Sequence, residues 1–493
     1  MSEHVLIAAN ATKAKLIDAD LEIKLQVSDW LSYYVEGSEH TGRARNQGWD
    51  GRESFLEFST GTFPAGFLSS VEDRLRSEGH RVTIRRKRRP APLGPSVEDA
   101  YAAVNPFGID PRYDYQMETV RRLEKHGSMI AQVATGGGKS MIARTVVKRF
   151  MRPTLFLTTR QVLMYQMKDG FEEAGFKVGV MGDGDWRPTK GVNVAMVQTL
   201  EARLKDARTE KRVRALLSMF EVCILEEAHE AGGSGYYNVL NSMPNALYRL
   251  ALTATPFMRD DAEANMRLMA VSGQIGIRVP EQLLIERGIL ARPIFKYVDL
   301  PAPADLKSFQ SWQKAYDLGI VQNENRNQDI VKNALFCHEL GLPCLILIQR
   351  KAHGQILRDM LREKGLNVQF IHGSHDNAQR GRALENIKQG KTDVLIGSTI
   401  LDVGVDCPAV GMVILAGGGK AEVSLRQRIG RGLRAKKSGP NVCLVVDYMD
   451  TGNKYLKKHA RQRRGIVEAT PGFAENILPN GREFNVAELG FSI

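Results

Sequence analysis

Between about residues 110 and 260, short and almost unbroken apolar runs alternate with longer segments of helical character. The runs are Met129–Ala134, Thr154–Thr158, Val192–Val197, Val222–Leu225 and Leu250–Thr253. Runs lacking polar alternation suit strands covered on both faces, and their alternation with helices predicts a parallel α/β sheet. A second set predicts a second lobe of the same kind: Cys344–Ile348, Val368–Ile371, Val394–Ile396, Met412–Ala416 and Val442–Val446. The stretch between them, about 260 to 335, holds polar clusters such as Gln322 to Asn327 and reads as a less regular bridge.

Ahead of these lobes, residues 1 to about 90 read as a small mixed domain. Leu21–Tyr34 is rich in alternating apolar residues, Ser54–Phe58 reads as a strand, Gly66–Gly79 as a helix and Arg81–Arg85 as a second strand. The run Arg85, Arg86, Lys87, Arg88, Arg89 then meets a stiff connector, Pro90 to Pro95. Its cations either hold a nucleic-acid backbone or form a solvated strand end. After Tyr448, the cations Lys454, Lys457, Lys458, Arg461, Arg463 and Arg464 read as one basic helix face, for which solvation is the simpler account. The expected divisions are 1–95 (accessory, nucleic-acid-binding), 96–285 (first lobe), 286–450 (bridge and second lobe) and 451–493 (basic tail).

Composition narrows the class. The chain has 493 residues, too many for a single core, and its 43% hydrophobic and 25% charged content is that of an ordinary globular protein. Its formal charge of +12 favours a polyanionic partner, with nucleic acid first and an anionic membrane surface second. Cys223, Cys337, Cys344, Cys407 and Cys443 form no CxxC pair, so neither zinc nor a disulfide is expected. No window approaches the roughly 18 apolar residues of a membrane span, so a soluble, cytoplasmic location is expected.

The most informative stretch is Val133 to Ser140, VATGGGKS, where an apolar strand meets a glycine turn and then a helix. Gly136, Gly137 and Gly138 let backbone N–H groups converge on an anion, and the helix N-terminus adds its dipole. Lys139 would reach terminal phosphates and the Ser140 hydroxyl would ligate magnesium. A second signal ends the run Val222–Leu225 in two carboxylates, Glu226 and Glu227, at the sheet edge where α/β proteins bind ligands. Glu226 suits the magnesium and Glu227 the attacking water.

These motifs resemble those of superfamily 2 helicases, and all of them occur in order from about 110 to 450. The phosphate loop resembles motif I, AxTGxGK[ST], with Val133 for the first alanine. Glu226-Glu227-Ala228-His229 resembles the DEAH form of motif II with glutamate for the usual aspartate, and Leu252 to Pro256 resembles motif III. Tyr115-Gln116 resembles the adenine-reading glutamine element, Thr158-Thr159-Arg160 motif Ia, and Gln198-Thr199-Leu200 the later strand-contacting element. In the second lobe, Leu345–Arg350 resembles motif IV, His372-Gly373 the next element, Ser398–Asp406 motif V and Gln427–Arg434 motif VI, QRxGRxxR. Among the branches, the compact size, the small preceding domain and the lack of an evident nuclease motif look most like phage UvsW-type recombination and repair helicases.

The resemblance implies two RecA-like parallel-sheet α/β lobes behind a small N-terminal α+β domain, with ATP and Mg2+ as cofactors. It implies nucleotide contacts from Gln116, Thr135, Gly136, Gly137, Gly138, Lys139, Ser140, Gly404 and Asp406, and metal contacts from Ser140 and Glu226. Catalytic roles fall to Lys139, Glu227 and the arginine fingers Arg431 and Arg434. Thr159, Arg160, Thr199, Arg350 and Thr399 would contact phosphate and sugar, so binding should be sequence-tolerant and weaken with salt. His229, Thr253, Thr255 and Gln427 would couple the two sites. The implied protein is a monomeric DNA helicase or translocase acting on single-stranded and branched duplex DNA, located in the host cytoplasm if of phage origin. An RNA helicase with the same motor, or an annealing protein with weak ATPase, are the alternatives. Glu226 is one methylene longer than aspartate, a difference that a water-mediated metal contact absorbs, so activity is expected.

Overall fold

The computed structural model describes residues 3–35, 38, 49–257, 261–398, 410–419, 425–426, 429–430, 432–436 and 439–490. By contact the chain divides into two units, Met1–Val133 with Gly138–Arg278 and Ala134–Gly137 with Val279–Ile493.

The first unit begins with β1 (His4–Ala9) and β2 (Lys13–Ile17), followed by a ribbon of β3 (Ser32–Tyr34) and β4 (Arg52–Ser54), then β5 (Thr62–Pro64) and β6 (Arg81–Arg86). The small sheet runs β5-β2-β1-β6. Val5 and Ile7 on β1, and Ala14 and Leu16 on β2, alternate into one core. The stretch from Leu21 departs from strand-like alternation: Leu21–Trp30 is a helix. Its buried residues Ile23 and Val27, with the buried C-cap Leu31, recur every fourth position, which is helical spacing. The strand expected over Ser54–Phe58 ends at Ser54, because the chain then turns back and Glu57 bridges to Thr62. The small core also takes in Ala270, from the helix Ala262–Ser272. Gly66 lies against that helix so closely that any Cβ would strike the Met269 and Ala270 carbonyls.

The proline-rich connector lies along the same unit. Leu93 and Gly94 donate to the carbonyls of Phe150 and Arg149, and Tyr248 Oη donates to Pro90 O at 2.9 Å. Arg89 is likewise bound, at 2.6 and 2.8 Å, to the carbonyls of Lys125 and His126, whereas Arg85, Arg86, Lys87 and Arg88 remain exposed.

The large sheet of this unit contains β7 (Ser128–Val133), β8 (Thr154–Thr158), β9 (Val178–Gly182), β10 (Asp185–Arg187), β11 (Val192–Met196), β12 (Val222–Glu226), β13 (Tyr248–Thr253) and β14 (Ile275–Val279). Its order is β10-β9-β11-β8-β12-β13-β7-β14. The pairings among β7, β8, β9, β11, β12 and β13 are parallel, and β10 is antiparallel to β9. The five predicted runs are all strands. Two glycines dilute the apolar signal of β9, a strand the pattern did not reveal. With β13 between β7 and β12, the ends of all three strands share one sheet edge.

The second unit carries β15 (Arg292–Asp299), β16 (Cys344–Leu347), β17 (Val368–Ile371), β18 (Val394–Gly397), β19 (Met412–Ile414) and β20 (Val442–Met449). They run β15-β20-β19-β16-β18-β17, with every pairing parallel. Two RecA-like α/β lobes behind a small N-terminal α+β portion therefore describe the chain. The bridge is more ordered than its polarity implies. β15 pairs with β20 along its whole length, and the polar cluster at 322–327 begins the helix Glu324–Glu339. Asn323 caps that helix by accepting from the Arg326 N–H at 3.2 Å, while Arg326 and Asn327 are buried. The basic tail forms the helix Lys454–Glu468, but Arg463 does not lie on a solvated face. It is 3% exposed and forked onto Asp447, with Nε to Oδ2 at 2.9 Å.

Cys223, Cys337, Cys344 and Cys443 are buried free thiols, and Cys407 lies outside the described residues. No helix among the described residues is long and apolar enough to cross a membrane.

Candidate functional site

The strand β7 ends at Val133, which is fully buried, so its side chain packs the core. Gly136 and Gly138 then take φ of +87° and +81°, values that side chains rarely adopt. Gly137 N–H closes the turn on Ala134 O at 3.0 Å. Gly138 is the N-cap of the helix Lys139–Phe150, making Lys139 its first residue, with the exposed Ser140 next. Gln116, buried on the helix Asp114–His126, sits with its amide where a Gly138 Cβ would fall. The structure therefore brings the predicted adenine-reading residue to the phosphate loop itself. Thr135 is half-buried beside these glycines.

At the end of β12, Glu226 is 6% exposed, and its Oε2 has no hydrogen-bond partner among the described residues. Burial pushes its pKa up to about 8; the Lys139 ammonium pulls against that rise and the neighbouring Glu227 adds to it. A buried, orphaned carboxylate oxygen beside an ammonium and a phosphate loop fits a divalent cation chemically. Tyr236 Oη donates to the Glu226 carbonyl at 3.2 Å and steadies the strand end.

The next residue, Glu227, leaves the sheet at φ +50° and opens the short turn Ala228–Gly232. In that turn His229 Nδ1 lies 3.4 Å from Glu227 Oε2 and 3.2 Å from Thr253 Oγ1 at the end of β13. Burial lowers the His229 pKa, favouring the neutral imidazole, so these contacts act by hydrogen bonding and packing. Thr253 Oγ1 in turn accepts the Thr255 N–H at 3.2 Å. Three of the predicted coupling residues thus form one continuous chain of contacts.

Three of the predicted strand contacts, Thr159, Arg160 and Arg350, are engaged by a carboxylate. Glu230 accepts from the Thr159 hydroxyl and, at 2.7 Å, from Arg160 Nη2. In the second unit, Arg350 pairs with Asp317 and lies over the Tyr316 ring, 4.6 Å from its centroid. Thr199 is half-buried in the first turn of the helix Val197–Lys205, next to Gln198, whose amide donates to Thr159 O at 3.2 Å. Arg434 is exposed and its segment bridges to Leu290. Thr399, Gly404, Asp406, Gln427 and Arg431 lie outside the described residues. Sequence reasoning missed Glu230 and Tyr236. It also missed Arg426, which forks onto the buried Glu281 at 2.6–3.0 Å. Adjacency to motif II was the available signal for Glu230, but the Arg426 pair spans 145 residues and left none.

Residues 110–258 match the family described as type III restriction enzyme, res subunit. Residues 326–436 match the helicase conserved C-terminal domain. The chain belongs to the superfamily 2 helicases. It is 24% identical over 366 residues to helicase 22 of Sulfolobus islandicus filamentous virus, covering 69% of this chain and 64% of the relative, slightly under two thirds. Against the ATP-dependent DNA helicase UvsW of Enterobacteria phage T4 it is 21% identical over 457 residues, 88% of each chain. Among solved structures, the helicase MrfA bound to DNA shares the fold at a TM-score of 0.59 and 15% identity, covering 78% of this chain and 52% of that one.

Proposed function

We propose that this protein is an ATP-driven, Mg2+-dependent translocase on DNA that unwinds or remodels branched duplexes in recombination, repair or replication. The observation that carries the reading is His229, in contact with both Glu227 and Thr253. That contact ties the carboxylate suited to activating water to the strand end leading out of the nucleotide site. Lys139 binds the terminal phosphates, Glu227 takes the proton of the attacking water, and Arg431 and Arg434 neutralise charge on the transferred phosphoryl group. Ser140 and Glu226 would hold the metal. When bound, it supplies positive charge to the phosphates. The net charge of +12 and the exposed cations Arg85 to Arg88 on the accessory portion support a polyanionic substrate and a grip on duplex arms.

A panel of ATPase activators tests substrate class, with strand separation measured in parallel. Fork and four-way-junction DNA should stimulate phosphate release more strongly than single-stranded RNA. Stimulation by RNA alone would replace the DNA reading with the RNA helicase, and nucleic-acid binding without any ATPase would favour the annealing protein.

The state of Glu226 gives a second expected result. Its folded pKa is raised, so it contributes stability below the unfolded carboxylate pKa and loses that contribution as pH rises toward about 8. A cation must displace the proton. Binding of Mg·ADP near pH 7 should therefore release up to about one proton more from the wild type than from Glu226→Gln, and the difference should vanish above about pH 9. Calorimetry in buffers of different ionisation enthalpy measures it; identical release by both proteins would remove Glu226 from the metal site.

A further inference from the structure

Two donors expected to grip a nucleic-acid backbone already hold an anion supplied by the protein itself. Glu230 presents one carboxylate oxygen to the Thr159 hydroxyl and the other to the Arg160 guanidinium. A hydroxyl and a guanidinium converging on two oxygens of one anion is also the arrangement that binds a phosphodiester. The pair is accessible to exchange: the Arg160 side chain is 46% exposed and that of Glu230 23%. The second unit repeats the chemistry, with Asp317 on Arg350.

Glu230 also stands one turn from the hydrolytic carboxylate. Its N–H donates to Glu227 O at 2.9 Å, closing the turn that holds Glu227 at positive φ. A change at the Glu230 side chain is thus felt within one turn of the nucleotide site.

We infer that Glu230 is an internal phosphate surrogate, occupying Thr159 and Arg160 in the absence of nucleic acid and giving way to a backbone phosphate when a strand binds. Glu230 is then a positioning residue that sets how much nucleic acid is needed to switch the ATPase on. The inference rests on the proposed strand contacts of Thr159 and Arg160, and its test separates the two.

Single-stranded DNA affinity and the DNA concentration giving half-maximal ATPase are measured for the full chain bearing Glu230→Gln, Glu230→Asp, Arg160→Ala and Arg160→Ala with Glu230→Gln. Glu230→Gln should bind about three- to fivefold more tightly and lower the half-stimulating concentration equally, with the saturated rate within about twofold of wild type. Glu230→Asp keeps the charge and should stay near wild type. Arg160→Ala should weaken binding, and in its background Glu230→Gln should yield no gain, because no guanidinium is left to block. A purely structural Glu230 would weaken binding when altered, the opposite sign. Unchanged or weaker binding by Glu230→Gln overturns the surrogate while leaving the strand contact standing. Unchanged affinity in Arg160→Ala removes the strand contact and the surrogate with it.

Discussion

Replacing Lys139 by alanine should lower nucleic-acid-stimulated phosphate release by at least about 10²- to 10³-fold, the usual cost of deleting one preorganised charge from a phosphoryl-transfer site. Two effects act in the same direction. The ammonium that would follow the terminal phosphates is lost, and so is the charge that draws down the raised Glu226 pKa. Without Lys139, Glu226 is held more firmly in its protonated form, and a protonated carboxyl is a poor ligand for a cation. The variant should therefore also bind Mg·ADP more weakly. Because Lys139 lies at the start of its helix and is only half-buried, the unfolding midpoint should change little. Phosphate release within about threefold of wild type would end the assignment of this loop to catalysis.

Asp447→Ala should destabilise the second unit by about 3 kcal/mol or more. Arg463 and Asp447 are each 3% exposed, so deleting the carboxylate leaves a buried guanidinium without its main counter-ion. Carbonyls of Gly419 and Tyr448 remain, at 3.0 and 2.9 Å, and Asp450 stands 3.8 Å away, which holds the loss toward the lower end of the range for broken buried pairs. Replacing both partners, with Asp447→Leu and Arg463→Met, should recover most of the stability, because the desolvation cost then disappears with the charges. Hydrogen exchange over β20 and the helix Lys454–Glu468 reports the change locally. Equal protection in Asp447→Ala and wild type would mean that the pair contributes nothing to holding that helix.

Much of the fold was legible because burial on both faces of a strand leaves a local mark. The runs from Met129 to Thr253 and from Cys344 to Val446 all became parallel strands. The helix at Leu21–Trp30 was obscured because its apolar residues satisfy alternation and helical spacing over a short window, and only packing decided between them. β15 was missed because its sequence interleaves charge and proline with apolar residues, yet its pairing with β20 covers it.

For the candidate site, the sequence alone determined the glycine loop, the carboxylate pair and their order along the chain. Backbone conformation at a tight turn and a strand's apolar content are encoded by neighbouring residues. Only the tertiary structure decided which charges meet. Arg160 and Glu230 are 70 residues apart and Arg326 and Asp450 are 124 apart, so nothing local marks them as partners. It also decided that Arg463 belongs to the core and that Glu226 Oε2 has no hydrogen-bond partner among the described residues, since burial and distance belong to the folded chain.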